Sequence, residues 1–217
     1  IYPVWELWDF KNKYFYFNNY ESIPSKEEIS ELIDLVNYEE IEINGVYVYF
    51  KKLGGKIDLG SIVKGYAANK LFLFLKDYGL KSGLVDVGGN IVTFGFKHNK
   101  RYNSYYKVGI RTPFIEKLSD DVSEFNKINV IGYIEASEEM ETFVTSGVYE
   151  RYIMDENKLM YHHILDPSTG YPIDNNLISV SVFGSIESTK ADALSTAIFA
   201  MGLDEGMKYA NDNALSV

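Results

Sequence analysis

Apolar residues recur at helical spacing in four stretches of the chain. In residues 25–36, SKEEISELIDLV, Ser25 and Glu28 form a capping box ahead of an apolar face made of Ile29, Leu32, Ile33 and Val36. The same spacing predicts further helices over residues 61–78, 188–201 and 204–211. Gly79 and Gly202 follow two of these stretches, as expected of residues that end a helix.

Strands are predicted where apolar and polar residues alternate. Residues 40–51, EIEINGVYVYFK, place Asn44 and Gly45 between two alternating runs, which is the pattern of a hairpin with a type I′ turn. Residues 83–96, GLVDVGGNIVTFGF, predict two short strands around Gly88 and Gly89. Further strands, of which the last is the clearest buried one, are predicted near residues 56–59, 105–112, 128–136, 142–154 and 177–184.

The balance of these elements predicts an α+β fold with a largely antiparallel sheet and flanking helices. No strand is followed by the glycine-rich turn and helix of a Rossmann unit. We predict a single domain over residues 1–217, in which the acidic loop at residues 116–127 is the only soft boundary. Because the chain starts at Ile1 and stops just beyond a helical pattern, we interpret it as a fragment truncated at both ends.

Composition and charge restrict the function. The net charge of -10 argues against nucleic-acid binding, which depends on basic patches. An anionic small molecule remains compatible if a metal ion or local donors offset that charge. The chain has no cysteine, so thiolate nucleophiles, disulfides and cysteine-based zinc sites are excluded. No apolar run reaches the roughly 18 to 20 residues that a membrane-spanning helix needs.

A candidate anion site lies in residues 57–65, IDLGSIVKG. A helix that begins after Gly60 with Lys64 in its first turn presents free N–H groups and a positive charge to a phosphate. An ordinary glycine turn with Ser61 as the helix N-cap explains the same letters, and the pattern alone favours it. Asp58 would repel a phosphate unless it binds a sugar, a base or a cation.

Two further stretches carry small and polar residues. In VDVGGNI, Gly88 and Gly89 let the backbone approach a ligand and Asn90 can donate and accept hydrogen bonds, although a tight turn between strands explains them equally well. In TSGVYER, Ser146 supplies a hydroxyl group, and the guanidinium group of Arg151 is a candidate for phosphate binding.

The predicted helix at residues 188–201 carries hard oxygen atoms on one face. Asp192 and Thr196 are four residues apart, so a carboxylate and a hydroxyl group project on the same side. This pair suits Mg²⁺, which keeps few protein ligands and takes its other oxygens from water and phosphates. The alternative is that Asp192 interacts with the helix dipole while Thr196 faces the core, and the pair taken alone favours this alternative.

Two of the three histidines are adjacent in residues 160–172, MYHHILDPSTGYP. On a strand, neighbouring side chains point to opposite faces, so His162 and His163 are poor candidates for one zinc site. One is predicted to be structural. The other, beside a loop fixed by Pro167 and Gly170, would be a positioned hydrogen-bonding or acid–base group.

The order of these motifs resembles one known family. DLGSIVKGYAANKL, LVDVGGNI, VTSGVYERY, YHHILDPSTGYP and ADALSTAIFAMG are similar in sequence and spacing to motifs of the ApbE family of FAD:protein FMN transferases. The similarity runs from about Pro3 to about Gly206, nearly the whole chain. The family's flavin-binding stretch that precedes Pro3 is not in this sequence.

The resemblance implies an ApbE-like α+β fold and an Mg²⁺-dependent enzyme that uses FAD as its substrate. Such an enzyme cleaves the FAD diphosphate, attaches FMN through a phosphoester to a Thr or Ser of an acceptor protein, and releases AMP. Its implied residues are Asp58, Lys64 and Ile164 as FAD contacts, and Asp192, Thr196 and the carbonyl group of Ser61 as Mg²⁺ ligands. Ser168 departs from the family pattern, which usually has Arg at this place.

Together the residues and the resemblance give the predicted site. We predict catalytic roles for His163 and Asp192 and a structural role for His162. The flavin-binding set is completed by Gly88, Gly89, Asn90, Ser146 and Gly147.

Two other functions stay open: an Mg²⁺-dependent FAD pyrophosphatase giving FMN and AMP, and a non-catalytic flavin-binding protein. The resemblance also implies an extracytoplasmic lipoprotein, anchored to a membrane by a segment outside these residues.

Overall fold

The computed structural model describes residues 1–13, 23–98, 103–113 and 130–217. Its helices are α1 Tyr2–Trp8, α2 Phe10–Lys13, α3 Lys26–Ile33, α4 Val63–Asp77 and α5 Ser188–Asp212, with one 3₁₀ turn at Tyr38–Glu40. Its strands are β1 Ile41–Asn44, β2 Tyr47–Phe50, β3 Gly83–Val87, β4 Asn90–Phe94, β5 Lys97–His98, β6 Asn103–Ser104, β7 Lys107–Arg111, β8 Val130–Glu135, β9 Glu141–Gly147, β10 Tyr152–Met154, β11 Met160–His162 and β12 Ser179–Gly184.

Every strand pair among the described residues is antiparallel, which confirms the predicted α+β class. Contacts divide the chain into two compact units. The first unit comprises Ile1–Leu59 and Val148–Asn175, and the second comprises Gly60–Gly147 and Asn176–Val217. The prediction of a single domain stays a prediction. The acidic loop at residues 116–127, its proposed soft boundary, lies outside the described residues.

The core of the first unit is aromatic. Trp8 is fully buried, stacks on Phe10 and donates its indole N–H to the carbonyl oxygen of Gly170 at 2.9 Å. The apolar face of α3 packs into the same cluster through Ile29, and the predicted capping box of Ser25 and Glu28 starts this helix. The helix ends at Ile33, three residues before the predicted end, because the chain turns there through tighter i→i+3 hydrogen bonds.

Two predicted turn and strand features of the first unit were wrong. Asn44 pairs with Tyr47, so the two loop residues of the β1–β2 hairpin are Gly45 and Val46. A type I′ turn needs positive φ at both loop residues, whereas only Gly45 has one, at 61°. Residues 56–59, predicted as a short strand, lie in irregular chain and turn instead.

The second unit is built on a four-stranded sheet with the order β12-β9-β4-β3. The predicted hairpin around Gly88 and Gly89 is confirmed as β3 and β4, and both glycines have positive φ, 58° and 90°, as a type I′ turn requires. The strand predicted as the clearest buried one is β12, which lies at a sheet edge and buries only Val182 fully. Edge strands keep one side in solvent, so an apolar run there is only half covered.

Helices α4 and α5 cover this sheet. α4 begins at Val63, two residues after the predicted start, and Ser61 is not its N-cap. At Gly202 the backbone of α5 leaves helical geometry, with φ 81°, so the two predicted C-terminal helices are confirmed as two segments joined at a kink. The buried residues that face the sheet from α5 include Ala191, Leu194 and Ile198.

Candidate functional site

The start of α4 is held by an acidic residue from α5. The backbone N–H of Gly65, in the first turn of α4, donates to Oδ2 of Asp192 at 2.8 Å, and Asp192 is only 3% exposed. No side chain of α4's own N-cap accepts a hydrogen bond there. Asp192 therefore satisfies a free N–H group and places its negative charge at the positive end of the helix dipole.

The two helices can approach this closely because residue 65 is glycine. A Cβ atom there would lie 2.7 Å from the Cβ of Asp192 and closer still to the carbonyl oxygen of Ser188. Contacts under about 3 Å between such atoms are repulsive, so any side chain would push the helices apart. Gly65 thus fixes the position of Asp192, a role that the sequence reading missed.

The hydroxyl group of Thr196, a predicted metal ligand, lies in a cluster with two serine hydroxyl groups. The Oγ of Ser146 on β9 lies 3.0 Å from Oγ1 of Thr196 and 2.7 Å from Oγ of Ser195. Ser195, which is fully buried, donates to the backbone carbonyl oxygen of Asp192 at 3.0 Å. The structure therefore brings together Asp192, Thr196 and Ser146, and adds Ser195, which the sequence reading did not single out.

These groups fit a magnesium ion by their chemistry. Asp192 offers a buried carboxylate, and none of the ion pairs formed among the described residues includes it. Thr196 is half-buried one helical turn further along. Carboxylate and hydroxyl oxygens are hard donors of the kind Mg²⁺ prefers. Groups of three or more His, Cys, Asp or Glu side chains with metal-binding geometry do not occur in the described part of the chain.

A cationic side chain lies at the same end of α4. Lys64 donates from Nζ to the carbonyl oxygen of Gly88 at 3.3 Å, which links the first turn of α4 to the β3–β4 turn. Gly89 donates its N–H to Oδ1 of Asp86 at 2.9 Å within that turn. The predicted flavin residues Lys64, Gly88 and Gly89 are thus neighbours, although the positive φ angles of the glycines already explain their presence in the turn.

Asn90, the next predicted flavin residue, is fully buried at the start of β4. Neither its side-chain oxygen nor its side-chain nitrogen has a hydrogen-bond partner among the described residues. A buried polar group without a partner costs about 1 to 3 kcal/mol, so such a group calls for an explanation. A bound ligand that pairs with the amide is one explanation, and the flavin-binding role of Asn90 stays a prediction.

Three further predicted site residues are Ser61, Gly147 and Asp58. Ser61 is exposed in the turn that leads into α4, and Gly147 is buried at the end of β9, where it pairs with Ser179. The metal contact of Ser61 and the flavin contact of Gly147 stay predictions. Asp58 is exposed and belongs to the first unit.

The two histidines of the first unit differ in their surroundings. His162 is 6% exposed and lies on β11, and its Nε2 lies 2.9 Å from the carbonyl oxygen of Ile173. Because a carbonyl oxygen only accepts, Nε2 carries the proton, and Nδ1 accepts the N–H of Ile164 at 3.3 Å. Both nitrogens are satisfied in the neutral ring, which agrees with the predicted structural role of His162.

Burial lowers the pKa of His162 below its ordinary value of 6.5, and the bond to Ile173 and the charge of Asp174 only partly oppose this. The folded state therefore binds fewer protons than the unfolded state at and below that value, so the free energy of unfolding falls as the pH falls through it. We therefore expect the urea concentration at the unfolding midpoint of the first unit to be lower at about pH 5.5 than at about pH 7.5.

Tryptophan fluorescence measures this transition, since the chain's two tryptophans, Trp5 and Trp8, both belong to the first unit. A His162→Gln variant should lose part of the pH dependence, whereas the matched His163→Gln variant should keep it. Equal pH dependence in the wild type and both variants would contradict the assignment.

His163 sits just beyond β11. Its backbone N–H and its Nδ1 both lie near the carbonyl oxygen of Arg151, at 3.1 and 3.0 Å, so Nδ1–H is a donor. Ile164, the predicted flavin contact beside it, is 7% exposed in the interior of the first unit. His163 is held in one orientation, as expected of a positioned group, and the catalytic role stays a prediction.

Local hydrogen bonds and close packing hold the loop after the histidines. Asp166 accepts hydrogen bonds from both the N–H and the hydroxyl group of Ser168 at 2.7 Å, and its carbonyl oxygen accepts from Gly170 at 2.8 Å. Gly170 has φ 74°, and a Cβ atom there would lie 2.6 Å from Ile29. The loop is thereby fixed on the core of the first unit.

Comparison with known proteins gives one consistent family. The sequence model of the ApbE family matches residues 1–217. Two curated proteins named FAD:protein FMN transferase, from Klebsiella pneumoniae and Treponema pallidum, are 31% and 32% identical to the chain over 187 and 196 residues. Each alignment covers 85% of this chain but 52% and 50% of the respective relative, so the chain spans about half the length of these relatives.

Solved structures agree. The flavinyl transferase ApbE of Pseudomonas stutzeri, in its apo form, superposes with a TM-score of 0.74 at 27% identity, covering 99% of this chain and 60% of that one. The flavin transferase ApbE from Vibrio cholerae also gives a TM-score of 0.74, at 24% identity over 98% of this chain and 61% of that one, and supports the fold alone.

Proposed function

The chain belongs to the ApbE family, and on that premise we propose that the protein is an Mg²⁺-dependent transferase that moves FMN from FAD to a hydroxyl group of an acceptor protein. The names of the two relatives that are 31% and 32% identical support this function. The observation in the structure that carries the proposal is the pair Asp192 and Thr196. Oδ2 of Asp192 is hydrogen-bonded to the start of α4, and Oγ1 of Thr196 is hydrogen-bonded to β9.

In the proposed reaction the hydroxyl oxygen of an acceptor Thr or Ser attacks the phosphorus of the FMN half of FAD. The bond from that phosphorus to the bridging oxygen breaks, AMP leaves with the bridging oxygen, and the hydroxyl proton passes to a base. This chemistry needs positioning and charge stabilisation more than a nucleophile from the enzyme, because the acceptor supplies the nucleophile.

The residues of the second unit would bind the metal ion and the phosphate groups of FAD. A bound Mg²⁺ would supply electrostatic stabilisation of the diphosphate oxygens as AMP departs. Asp192 and Thr196 would hold that ion, with the carbonyl group of Ser61 as the third proposed ligand. The ammonium group of Lys64 and the positive end of α4 would bind the phosphates and offset the net charge of -10 of the chain.

In the first unit we propose that His163 orients the incoming hydroxyl group or the flavin phosphate. Its fixed Nδ1–H supports a positioned ring. Asp58 and Ile164 are proposed as FAD contacts on the family resemblance.

The test uses the full-length protein with FAD, MgCl₂ and a candidate acceptor. We expect a covalent FMN adduct on an acceptor Thr or Ser, release of one AMP for each FMN attached, and loss of both when a chelator removes the metal. Free FMN and AMP at the same rate without acceptor would instead identify a pyrophosphatase. Tight FAD binding with no AMP would identify a non-catalytic flavin-binding protein.

We also propose, from the family resemblance, that the full-length protein is an extracytoplasmic lipoprotein. Within the described residues, no helix combines the length and the apolar character needed to cross a membrane. Recovery of the full-length protein only in the soluble fraction of cells would contradict anchoring.

A further inference from the structure

Three hydroxyl groups of the second unit form a chain with one donor direction. The chain starts at Ser195, whose Oγ lies 3.0 Å from the backbone carbonyl oxygen of Asp192. A carbonyl oxygen only accepts hydrogen bonds, so the hydroxyl group of Ser195 donates its single proton to that oxygen. The short contact between Ser195 and Ser146, 2.7 Å, must then be donated by Ser146.

The same reasoning fixes the next member. Because the proton of Ser146 is directed to Ser195, the 3.0 Å contact between Ser146 and Thr196 must be donated by Thr196. The hydroxyl proton of Thr196 therefore points toward β9. Its two oxygen lone pairs point elsewhere and are available to a cation.

We infer that Ser146 and Ser195 are positioning residues that set the hydroxyl group of Thr196 as a metal ligand. A hydroxyl group binds a cation through its oxygen lone pairs, and a proton turned toward the ion would oppose binding. The hydrogen bonds among the three hydroxyl groups exclude that orientation of the proton before an ion binds, much as hydrogen bonds to the outer nitrogen of a metal-bound histidine fix its tautomer. This inference rests on the proposed function and gives Ser146 a role different from the flavin contact predicted from sequence.

The geometry of the strand and the helix explains why these residues can do this. Ser146 lies on β9, which packs against α5, and Ser195 and Thr196 are consecutive residues of α5. Asp192 is fixed independently, through Oδ2, by the N–H of Gly65. The two proposed ligand side chains are thus oriented by separate hydrogen bonds before any ion arrives, which reduces the ordering that binding requires.

The chain offers a matched control on the same strand. Thr145 precedes Ser146, and its Oγ1 lies 2.7 Å from Oγ of Ser181 on β12. Successive residues of a strand face opposite sides of the sheet, so the Thr145–Ser181 pair is a hydroxyl contact of equal length that is not part of the Ser146 chain. Ser181→Ala removes one such contact and leaves the ligands untouched.

The test measures divalent-cation affinity directly. Mn²⁺, a hard cation with an electron-spin signal, is titrated into the full-length protein with saturating FAD, and free Mn²⁺ is read by electron paramagnetic resonance. We expect Ser146→Ala to weaken Mn²⁺ binding by about tenfold or more, the usual effect of losing a group that orients a metal ligand. Ser195→Ala should weaken it in the same direction, and Ser181→Ala, which shares no partner with the ligands, should leave it within about twofold of the wild type.

A second measurement separates positioning from folding. The melting temperatures of Ser146→Ala and Ser181→Ala without metal should fall by similar amounts, since each variant loses one hydroxyl contact. Transfer by Ser146→Ala should recover at high Mg²⁺, so that the Mg²⁺ concentration for half-maximal rate rises while the maximal rate stays near that of the wild type.

Two results would overturn the inference, and only the second of them would also overturn the metal assignment of the proposed function. Wild-type Mn²⁺ affinity in Ser146→Ala, together with a large loss in Asp192→Asn, would reject the hydroxyl chain and leave the proposed function standing. Unchanged Mn²⁺ affinity in both variants would reject the metal assignment of the proposed function as well.

Discussion

Replacing Gly65 with alanine is expected to destabilise the second unit by about 3 kcal/mol, although alanine is the better helix former by up to about 1 kcal/mol. The added methyl group would meet the carbonyl oxygen of Ser188 and would lie 2.7 Å from the Cβ of Asp192. The carbonyl oxygen of Ser188 is a backbone atom, and the Cβ of Asp192 is bonded directly to a backbone Cα. Neither atom can move away as the end of a flexible side chain would. The helices α4 and α5 must separate instead.

Far-ultraviolet circular dichroism during urea unfolding measures this change, because α4 and α5 are the longest helices described, with 15 and 25 residues. Gly132→Ala on β8 is the matched control. It makes the same substitution at a position where no heavy atom lies within 4 Å of the added Cβ, and its effect should be within about 0.5 kcal/mol. Equal midpoints for Gly65→Ala and the control would contradict the packing argument.

The same substitution should also weaken the site. Separation of the helices lengthens the 2.8 Å hydrogen bond from the N–H of Gly65 to Asp192, so the carboxylate loses the donor that fixes its Oδ2. A fall in divalent-cation affinity beside the fall in stability would show that the glycine serves both the fold and the site.

The local part of this site could be predicted from sequence and the long-range part could not. Asp192 and Thr196 share a face because they are four residues apart on a helix, and that relation needs no tertiary information. The contacts that fix them join residues 127 and 50 positions apart, Gly65 to Asp192 and Ser146 to Thr196. Periodicity within one helix carries no information about such partners. A glycine inside a predicted helix was the one available signal of a close approach at residue 65.

The missed and shifted elements have similar causes. The helices α1 and α2 were not predicted, because YPVWELWDF is too short for a clear helical period, although Pro3 at the start of α1 is a recognised signal. The β1–β2 hairpin was predicted one residue out of place, because Asn44 pairs with Tyr47 and moves the loop to Gly45 and Val46. Gly88 and Gly89, in contrast, were placed correctly, since two adjacent glycines are what a type I′ turn between two strands prefers.

Loss of the carboxylate at position 192 is expected to reduce flavin transfer by the full-length protein about a hundredfold or more. Asp192→Ala removes the proposed ligand together with the acceptor of the Gly65 hydrogen bond, and activity should be abolished. Asp192→Asn separates the two effects, because an amide oxygen still accepts from the N–H of Gly65 while the negative charge is gone. A metal ion supplies several kcal/mol of charge stabilisation, and each 1.36 kcal/mol is worth about tenfold in rate.

In-gel fluorescence of flavin attached to the acceptor measures the transfer, at several Mg²⁺ concentrations. Asp204→Asn is the control, since Asp204 lies on the same helix beyond the kink at Gly202 and is exposed. Asp192→Asn should melt near the wild-type temperature and still transfer little flavin, because the hydrogen bond that holds α4 survives the substitution and the ion-binding charge does not. Full transfer by Asp192→Asn would assign Asp192 to the capping of α4 alone, and the ion would then have to be held by other groups.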